Sequence, residues 1–537
     1  MKSWKKMLSL ALVTAAAAAM TTGCGGGSST DSPAAATLDP AGETETLKTE
    51  RAGDISEGKP VVIAIPQKQS TFFMPRSTTT GDRFGVRPVL ESLGRADSDG
   101  IYYPWLAEDF ISDQNELTFT IRLRENVSFH DGSPCDAGAV AWNIGQYIAN
   151  GKASEIGSPT GVSVVDERTV RIQYDKWANN WDNLIGDIFI CSREAYEKHG
   201  EEWCNTHAVG TGPFLLENFI MDNQITYIKN ENYRITGQPR VDRLQIDMIS
   251  DINTMMSALI NKEVSVALKF ENEAMVNMIA QAGFERIGQK NANCADIKHI
   301  MWNSKNEKHP MGDLKVRQAV MHAISWDSVA KALSGGMGEA TPLFCTTDSW
   351  AYAPDAEFYE YNLELAKQML AEAGYPDGFE TKIYTKSGDN DTATAFQAIL
   401  SQIGIRAVVE TVDSSALVAM QKEDDIDGFI ANRGAGKMDF TNNYIRLYSS
   451  EGIKNHGIML RPEEFEKPLF AAREAATIDE KRALLKQASK ALVQDYVMIT
   501  PLAVVYYQAF AVSELKDSGI YEVNLEQWTP EAVHWTN

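Results

Sequence analysis

Apolar and polar residues alternate strictly through Leu117-Thr118-Phe119-Thr120-Ile121-Arg122-Leu123-Arg124, the period of a half-buried strand. Val61-Val62-Ile63-Ala64-Ile65 is instead a continuous apolar run and reads as a buried strand. Two shorter strands are predicted at Val170 to Tyr174 and Leu244 to Ile249. The period changes to that of a helix after Asn362, a predicted N-cap. There Leu363, Ala366, Met369, Leu370 and Ala373 mark one face, and Gly374 with Pro376 stops the run. A second helix carries Leu484, Leu485, Ala488, Ala491 and Leu492 on its apolar face. Strands and helices mixed in this way over roughly 480 residues predict an α/β chain of at least two lobes. No internal repeat is present.

The first residues follow a different rule. Lys2, Lys5 and Lys6 precede an apolar stretch from Met7 to Met20, too short to cross a bilayer and of the length of a signal-peptide core. It ends at Gly23-Cys24, the pattern of a lipoprotein export signal with Cys24 as the lipidated first mature residue, although Thr21 stands where Leu is usual. An ordinary secreted protein is the alternative. Residues 24–59 are rich in Gly, Ser, Ala, Thr, Pro and charged residues and read as a flexible tether with a reach of about 30–35 Å. The chain is therefore expected outside the cytoplasm, held to the membrane by its N-terminal lipid.

Removing residues 1–23 takes away three lysines and no acid, moving the formal charge from -23 to -26. So acidic a body is repelled by phosphate polymers, which argues against nucleic acid as a partner. Five cysteines remain besides Cys24, an odd number. Cys191 and Cys204 lie close enough in sequence to form a disulfide, and two buried thiols are the alternative. His199, Glu201, Glu202, Cys204 and His207 offer five potential metal ligands within nine residues, but their spacing matches no standard zinc pattern, so no metal site and no cofactor are assigned. The chain has no Gly-x-Ser-x-Gly elbow, His-Glu-x-x-His helix or Ser-x-x-Lys motif, and Asp424 and Asp425 lie in a charge run that reads as a solvated loop. The reading is of a protein that is not an enzyme; an exported hydrolase with two carboxylates across a cleft is the runner-up class.

One ordered set of motifs carries a resemblance. Pro104-Trp105-Leu106-Ala107-Glu108, the alternating strand and Val127-Ser128-Phe129-His130-Asp131-Gly132-Ser133-Pro134 form one block. Gly210-Thr211-Gly212-Pro213-Phe214, Lys229-Asn230-Glu231-Asn232-Tyr233, Val316-Arg317-Gln318-Ala319-Val320, Ala371 to Gly378 and Ile403-Gly404-Ile405 follow. In this order they resemble the solute-binding proteins of peptide and nickel ABC importers, extracellular family 5. The resemblance implies a bilobal periplasmic-binding-protein-like α/β fold crossed twice by the chain. Lobe I would hold 60–293 and 498–537, with an extra subdomain around 77–210, and lobe II 294–497. It implies a monomer that captures a solute, a peptide by prior, and delivers it to an ABC permease with a separate ATPase. A non-peptide anionic solute, metal chelate or oligosaccharide is the alternative, and a chemoreceptor a further one. In Gly210-Thr211-Gly212-Pro213 the glycines are expected to permit unusual φ values in a rigid turn, and His130-Asp131-Gly132 reads as a structural turn.

The implied ligand contacts fall in two places. Thr79, Thr80 and Arg83 follow the first strand and match the family's ligand-facing loop, with a turn capping the next helix as the alternative. Asn432, Arg433, Gly436, Lys437 and Asp439 follow the strand-like run from Gly428. Peptide-binding members often carry Gly-Trp-x-x-Asp there. Arg433 stands at the Trp, Gly436 at the Asp, and Ser414 at an upstream aromatic position; Asp439 substitutes for the missing Asp only if the loop shifts. The planar fork of Arg433 suits an anionic ligand group, and a protein carboxylate is its alternative partner.

Overall fold

The computed structural model describes residues 58–77, 79–288, 292–424, 426–452, 455–524 and 527–536. The export signal, Cys24 and the tether up to residue 57 lie outside the described residues.

The buried run Val61–Ile65 is a strand near the centre of a seven-stranded sheet. Across that sheet the order is Phe214–Ile220, Gln224–Lys229, Arg243–Met248, Val61–Ile65, Val266–Phe270, Gln508–Ala511 and Glu285–Ile287. Val61–Ile65 is parallel to both of its neighbours and is packed against apolar residues on both faces, Val61, Ile63 and Ile65 on one and Val62 and Ala64 on the other, which is why its sequence does not alternate. The alternating segment lies in a separate four-stranded antiparallel sheet as Thr118–Leu123, between Ala107–Asp113 and Thr169–Gln173. There Phe119, Ile121 and Leu123 are buried and Arg122 is exposed, as the period requires.

A six-stranded sheet occupies the other half of the chain, in the order Gly338–Glu339, Ile499–Tyr506, Ala295–Trp302, Gly428–Ala435, Glu380–Thr385 and Arg406–Thr411. Buried apolar residues sort with their sheets, one group drawn from 61–294 and 507–533 and the other from 295–506. The return of the chain falls later than residue 498. Ile499–Tyr506 pairs with Ala295–Trp302 inside the six-stranded sheet, and only after Tyr507 does Gln508–Ala511 join the seven-stranded one. The physical reason is that one long apolar stretch serves both sheets, so hydropathy carries no mark of the border.

Both predicted helices form. Leu363–Glu372 is capped by the Asn362 side chain, which accepts from the Leu365 N–H at 3.0 Å, and Gly374 ends the turn with φ +96°. Ile478–Lys490 buries Leu485 and Ala488 behind a Thr477 cap.

The motif turns are structural, by a mechanism different from the expected one. Neither Gly210 nor Gly212 has a positive φ; the backbone of Val89 instead passes so close that a Cβ on Gly210 would lie 2.0 Å from the Val89 carbonyl oxygen. His130 sits on this turn, its backbone N–H bonded to Gly210 O at 2.8 Å and its ring Nε2 3.0 Å from Gly212 O. Asp131 accepts from the hydroxyls of Ser133 and Ser192, tying the same turn to the helix Arg193–His199. Asp424 is not a solvated loop residue, since its carboxylate accepts from Asn303 and Asn306. Cys191 and Cys204 are thiols, and burial pushes Cys204 up to about 11. The potential metal ligands beside them are spread apart in their roles: Trp203 is stacked between His199 and His207, and Glu201 pairs with Arg76.

Gly210→Ala is therefore expected to destabilise the protein by about 2–3 kcal/mol in urea denaturation, through forced backbone displacement. Gly145 lies inside the helix Ala137–Ala149 with nothing within 4 Å of a built Cβ, so Gly145→Ala is expected to stabilise by about 0.5–1 kcal/mol.

Candidate functional site

The two sheet-centred halves meet where the chain passes between them. The Tyr507 N–H donates to the Cys294 carbonyl at 3.0 Å, so the two crossings are bonded to each other. Beside them Asn272 bridges to Gly336, and the Glu273 N–H reaches Gly335 O at 3.0 Å. Gly335 and Gly336 both have positive φ, and a Cβ on Gly336 would lie 2.6 Å from Glu273 Oε2.

Arg433 is set at this junction by its strand. Gly428–Ala435 runs antiparallel to Ala295–Trp302, with Arg433 opposite Lys298 and Ala435 opposite Asp296. Its Nη1 lies 3.0 and 3.3 Å from the two Glu271 carboxylate oxygens and 3.3 Å from Asp296 Oδ2, while Nε is 3.6 Å from Asp389 Oδ1. Glu271 belongs to the seven-stranded half and the other three residues to the six-stranded half. Burial alone would lower the Arg433 pKa; Glu271 and Asp296, with Tyr507 and Asp389, outweigh it and hold the guanidinium above its ordinary value. Lys269 adds a second cation 3.9 Å from Asp296 and over the Tyr507 ring. Lys386 lies 3.6 Å from Asp389, whose carboxyl is raised by burial against the opposing pull of Lys386 and Arg433. Nη1 of Arg433 is thus engaged by protein carboxylates of both halves.

The other expected contacts are placed as follows. Thr79 caps the helix Thr80–Val86, its hydroxyl accepting from the Asp82 N–H at 3.1 Å, and Thr80 is the first residue of that helix. Arg83 pairs with Asp187 inside the same half. Asn432 accepts from the Arg433 N–H at 2.9 Å, and the buried Gly436 donates to Ala295 O at 2.7 Å. Asp439 is 2.6 Å from Lys481 and accepts from the Thr441 N–H at 2.8 Å, starting the helix Thr441–Tyr448. Burial would raise its pKa, but Lys481 and Thr441 outweigh it and hold the carboxyl below the ordinary range. Lys437 has no hydrogen bond or ion pair among the described residues. The next residue, Met438, faces Gly100 of the other half, and its N–H is held by Asn293, which in turn donates to Ser98 O.

A second seam was not anticipated from the sequence. Asn179 of the seven-stranded half donates through its N–H to Arg473 O at 2.8 Å and through Nδ2 to Ala472 O and Ala475 O at 3.0 and 2.9 Å. These carbonyls belong to the last turn of the helix Glu463–Glu474 and the residue after it, where intrahelical donors run out. Asn180 adds a bond to Asn442 at 2.5 Å. The available signal was two adjacent amides between Trp177 and Trp181, polar side chains in a stretch otherwise suited to burial. Next to this seam is a cavity of about 400 Å³ with Tyr102, Phe110 and Trp177 on one side and Ala475 and Ala476 on the other.

Removing the Asp439 charge is expected to cost about 3 kcal/mol at neutral pH, because Asp439→Asn leaves Lys481 buried without its partner. The folded protein keeps this carboxyl ionised where the unfolded chain takes up a proton. Its stabilisation is thus complete above the ordinary value of 3.8 and is lost as pH falls below it. Urea denaturation of wild type and Asp439→Asn is therefore expected to differ at pH 7 and to converge below pH 3.8.

The comparisons agree with this arrangement. The family profile described as bacterial extracellular solute-binding proteins, family 5 Middle, matches residues 102–455. Glutathione-binding protein GsiB of Salmonella paratyphi A is 26% identical over 452 residues, covering 80% of this chain and 86% of that protein. Heme-binding protein A of Haemophilus influenzae is 28% identical over 421 residues, covering 72% and 76%. Among solved structures, the periplasmic binding protein DppA of Helicobacter pylori in complex with the peptide STSA superimposes with a TM-score of 0.76 at 20% identity, over 88% of this chain and 98% of that one. NikA of Brucella suis in complex with Fe(III)-EDTA has the same TM-score and identity, over 88% and 100%. With its two joined sheets and the profile match over most of its length, the chain belongs to the bacterial extracellular solute-binding proteins of family 5, the solute-capturing components of ABC importers.

Proposed function

We propose that this chain captures a short peptide between lobe I, residues 60–288 with 507–536, and lobe II, residues 295–506, and delivers it as a monomer held to the membrane by lipid on Cys24. The observation that carries the reading is the junction itself. Two bonded crossings at Cys294 and Tyr507 join halves that otherwise meet through hydrogen bonds and ion pairs, which can be unmade and remade as the lobes part and close. A solute that touches both lobes adds contacts only in the closed state and so shifts the equilibrium toward closure. No covalent step is required. Peptide as the solute class is supported by the similarity to a protein solved with a bound peptide and to glutathione-binding relatives. The lipid anchor rests on the export pattern ending at Cys24.

Within this reading the anion contact moves from Arg433 to Lys437. Arg433 is already paired with Glu271, Asp296 and Asp389, whereas Lys437 stands beside Met438 where the lobes approach, with no protein counter-ion among the described residues. Asn432 and Gly436 position that loop, and the helix that starts at Thr79 and Thr80 and carries Arg83 belongs to the other lobe.

Native mass spectrometry of the protein purified from rich medium tests the solute class. A set of masses released on denaturation that fragment as short peptides is expected; one discrete non-peptide mass would overturn it. Lys437→Ala is expected to weaken retention of peptides with a free carboxylate by about tenfold with an unchanged melting temperature. Equal retention by wild type and variant would remove Lys437 from the site.

A further inference from the structure

We propose that the cavity beside the Asn179 seam receives the ammonium end of the solute, with Asp182 as its counter-ion and an aromatic wall around it. The inference rests on the peptide reading above and assigns one end of that peptide to a place on lobe I.

The cavity has the volume of a small ligand fragment, about 400 Å³, and Ala475 and Ala476 of lobe II complete its wall. Tyr102, Phe110, Phe119 and Trp177 supply ring surface, and Asp109 and Asp182 supply carboxylates; no Lys, Arg or His lines it. Rings and carboxylates without a cation form a surroundings suited to an organic ammonium, which gains from the ring faces as well as from the charge. Fewer than three metal-ligating groups face the space, so a bare metal ion is poorly served.

Asp182 is the group most in need of a partner. One of its oxygens accepts from the Asn183 N–H at 2.8 Å, and it makes no ion pair among the described residues. The nearby cation, Lys481, is already taken by Asp439 at 2.6 Å. Burial, the largest influence, raises the Asp182 pKa, and Asp439 adds to it against the opposing pull of Lys481 and the Asn183 N–H; an ammonium arriving in the cavity would relieve this.

Two further lining residues hold unmade hydrogen bonds. The indole N–H of Trp177 and the Oδ1 of Asn179 are buried without partners. Neither of these atoms is exposed to the cavity, so it is the Asp182 carboxylate and the bordering rings that meet the ammonium. The rest of the aromatic surface is left for the first side chain. This places the amine contact on the opposite lobe from Gly436, where the sequence lacks a carboxylate.

The test uses the full chain, a pool of tripeptides with free amino ends and the same pool N-acetylated, with retained peptides counted by mass spectrometry. Wild type is expected to prefer the free-amine pool by roughly tenfold, and Asp182→Asn, an isosteric change, to lose that preference while still retaining peptides. Ala476→Trp, made at an exposed position on the cavity wall, is expected to lose it too by filling the space, and guards against a folding defect in the first variant. A wild type indifferent to acetylation, or an Asp182→Asn protein that keeps the preference, overturns the assignment while leaving peptide capture standing. A wild type that retains neither pool overturns peptide capture itself, and this assignment with it.

Discussion

Arg433 gathers carboxylates from both halves of the molecule at the point where the chain crosses between them. Glu271 directly follows the strand Val266–Phe270 of one sheet, Asp296 lies in the strand Ala295–Trp302 of the other, and Asp389 immediately precedes the helix Asn390–Ser401. Lys269 and Lys386 complete the balance of three cations and three acids. Taking so many charges out of water roughly cancels the attraction between them, so the cluster adds little to overall stability; what it fixes is geometry, because each partner removed leaves a charge uncompensated. The lobe-to-lobe relation around which a solute would be enclosed depends on that fixed geometry.

The rest of the interface can be understood as contacts that tolerate separation. The Asn179 amide completes the last turn of a lobe II helix, yet water can serve the same carbonyls when the lobes part. The 400 Å³ cavity beside it is walled by both lobes. By contrast, the turns made by Gly210 and His130, and the cap made by Thr79, lie wholly within the seven-stranded half and brace it internally.

Much of the local structure was legible. The apolar run at Val61–Ile65, the alternation at Thr118–Leu123 and the capped helix at Leu363–Glu372 follow directly from short-range periodicity and capping. What was not legible depends on distant partners. The stretch 498–512 is buried and mostly apolar, with only Thr500 and Gln508 polar, so hydropathy carries no clear sign that Ile499–Tyr506 and Gln508–Ala511 serve different sheets. The need for glycine at 210 comes from the backbone at Val89, far away in sequence, and not from any local φ. Arg433 was read as meeting an anionic ligand group, with a protein carboxylate as the alternative partner, and the contacts it makes are with protein carboxylates. Its partners Glu271 and Asp296 lie more than 130 positions away, and no spacing rule links them to it. Asn179 and Asp182 acquire meaning only when lobe II is brought against them.

The central claim is that Arg433 governs the relation of the lobes and does not grip the solute. Small-angle X-ray scattering of solute-free wild type and Arg433→Ala tests it most directly. The account predicts a larger radius of gyration for the variant, restored toward the wild-type value when peptide is added. An unchanged radius of gyration together with abolished peptide binding would contradict it, since Arg433 would then hold the solute itself.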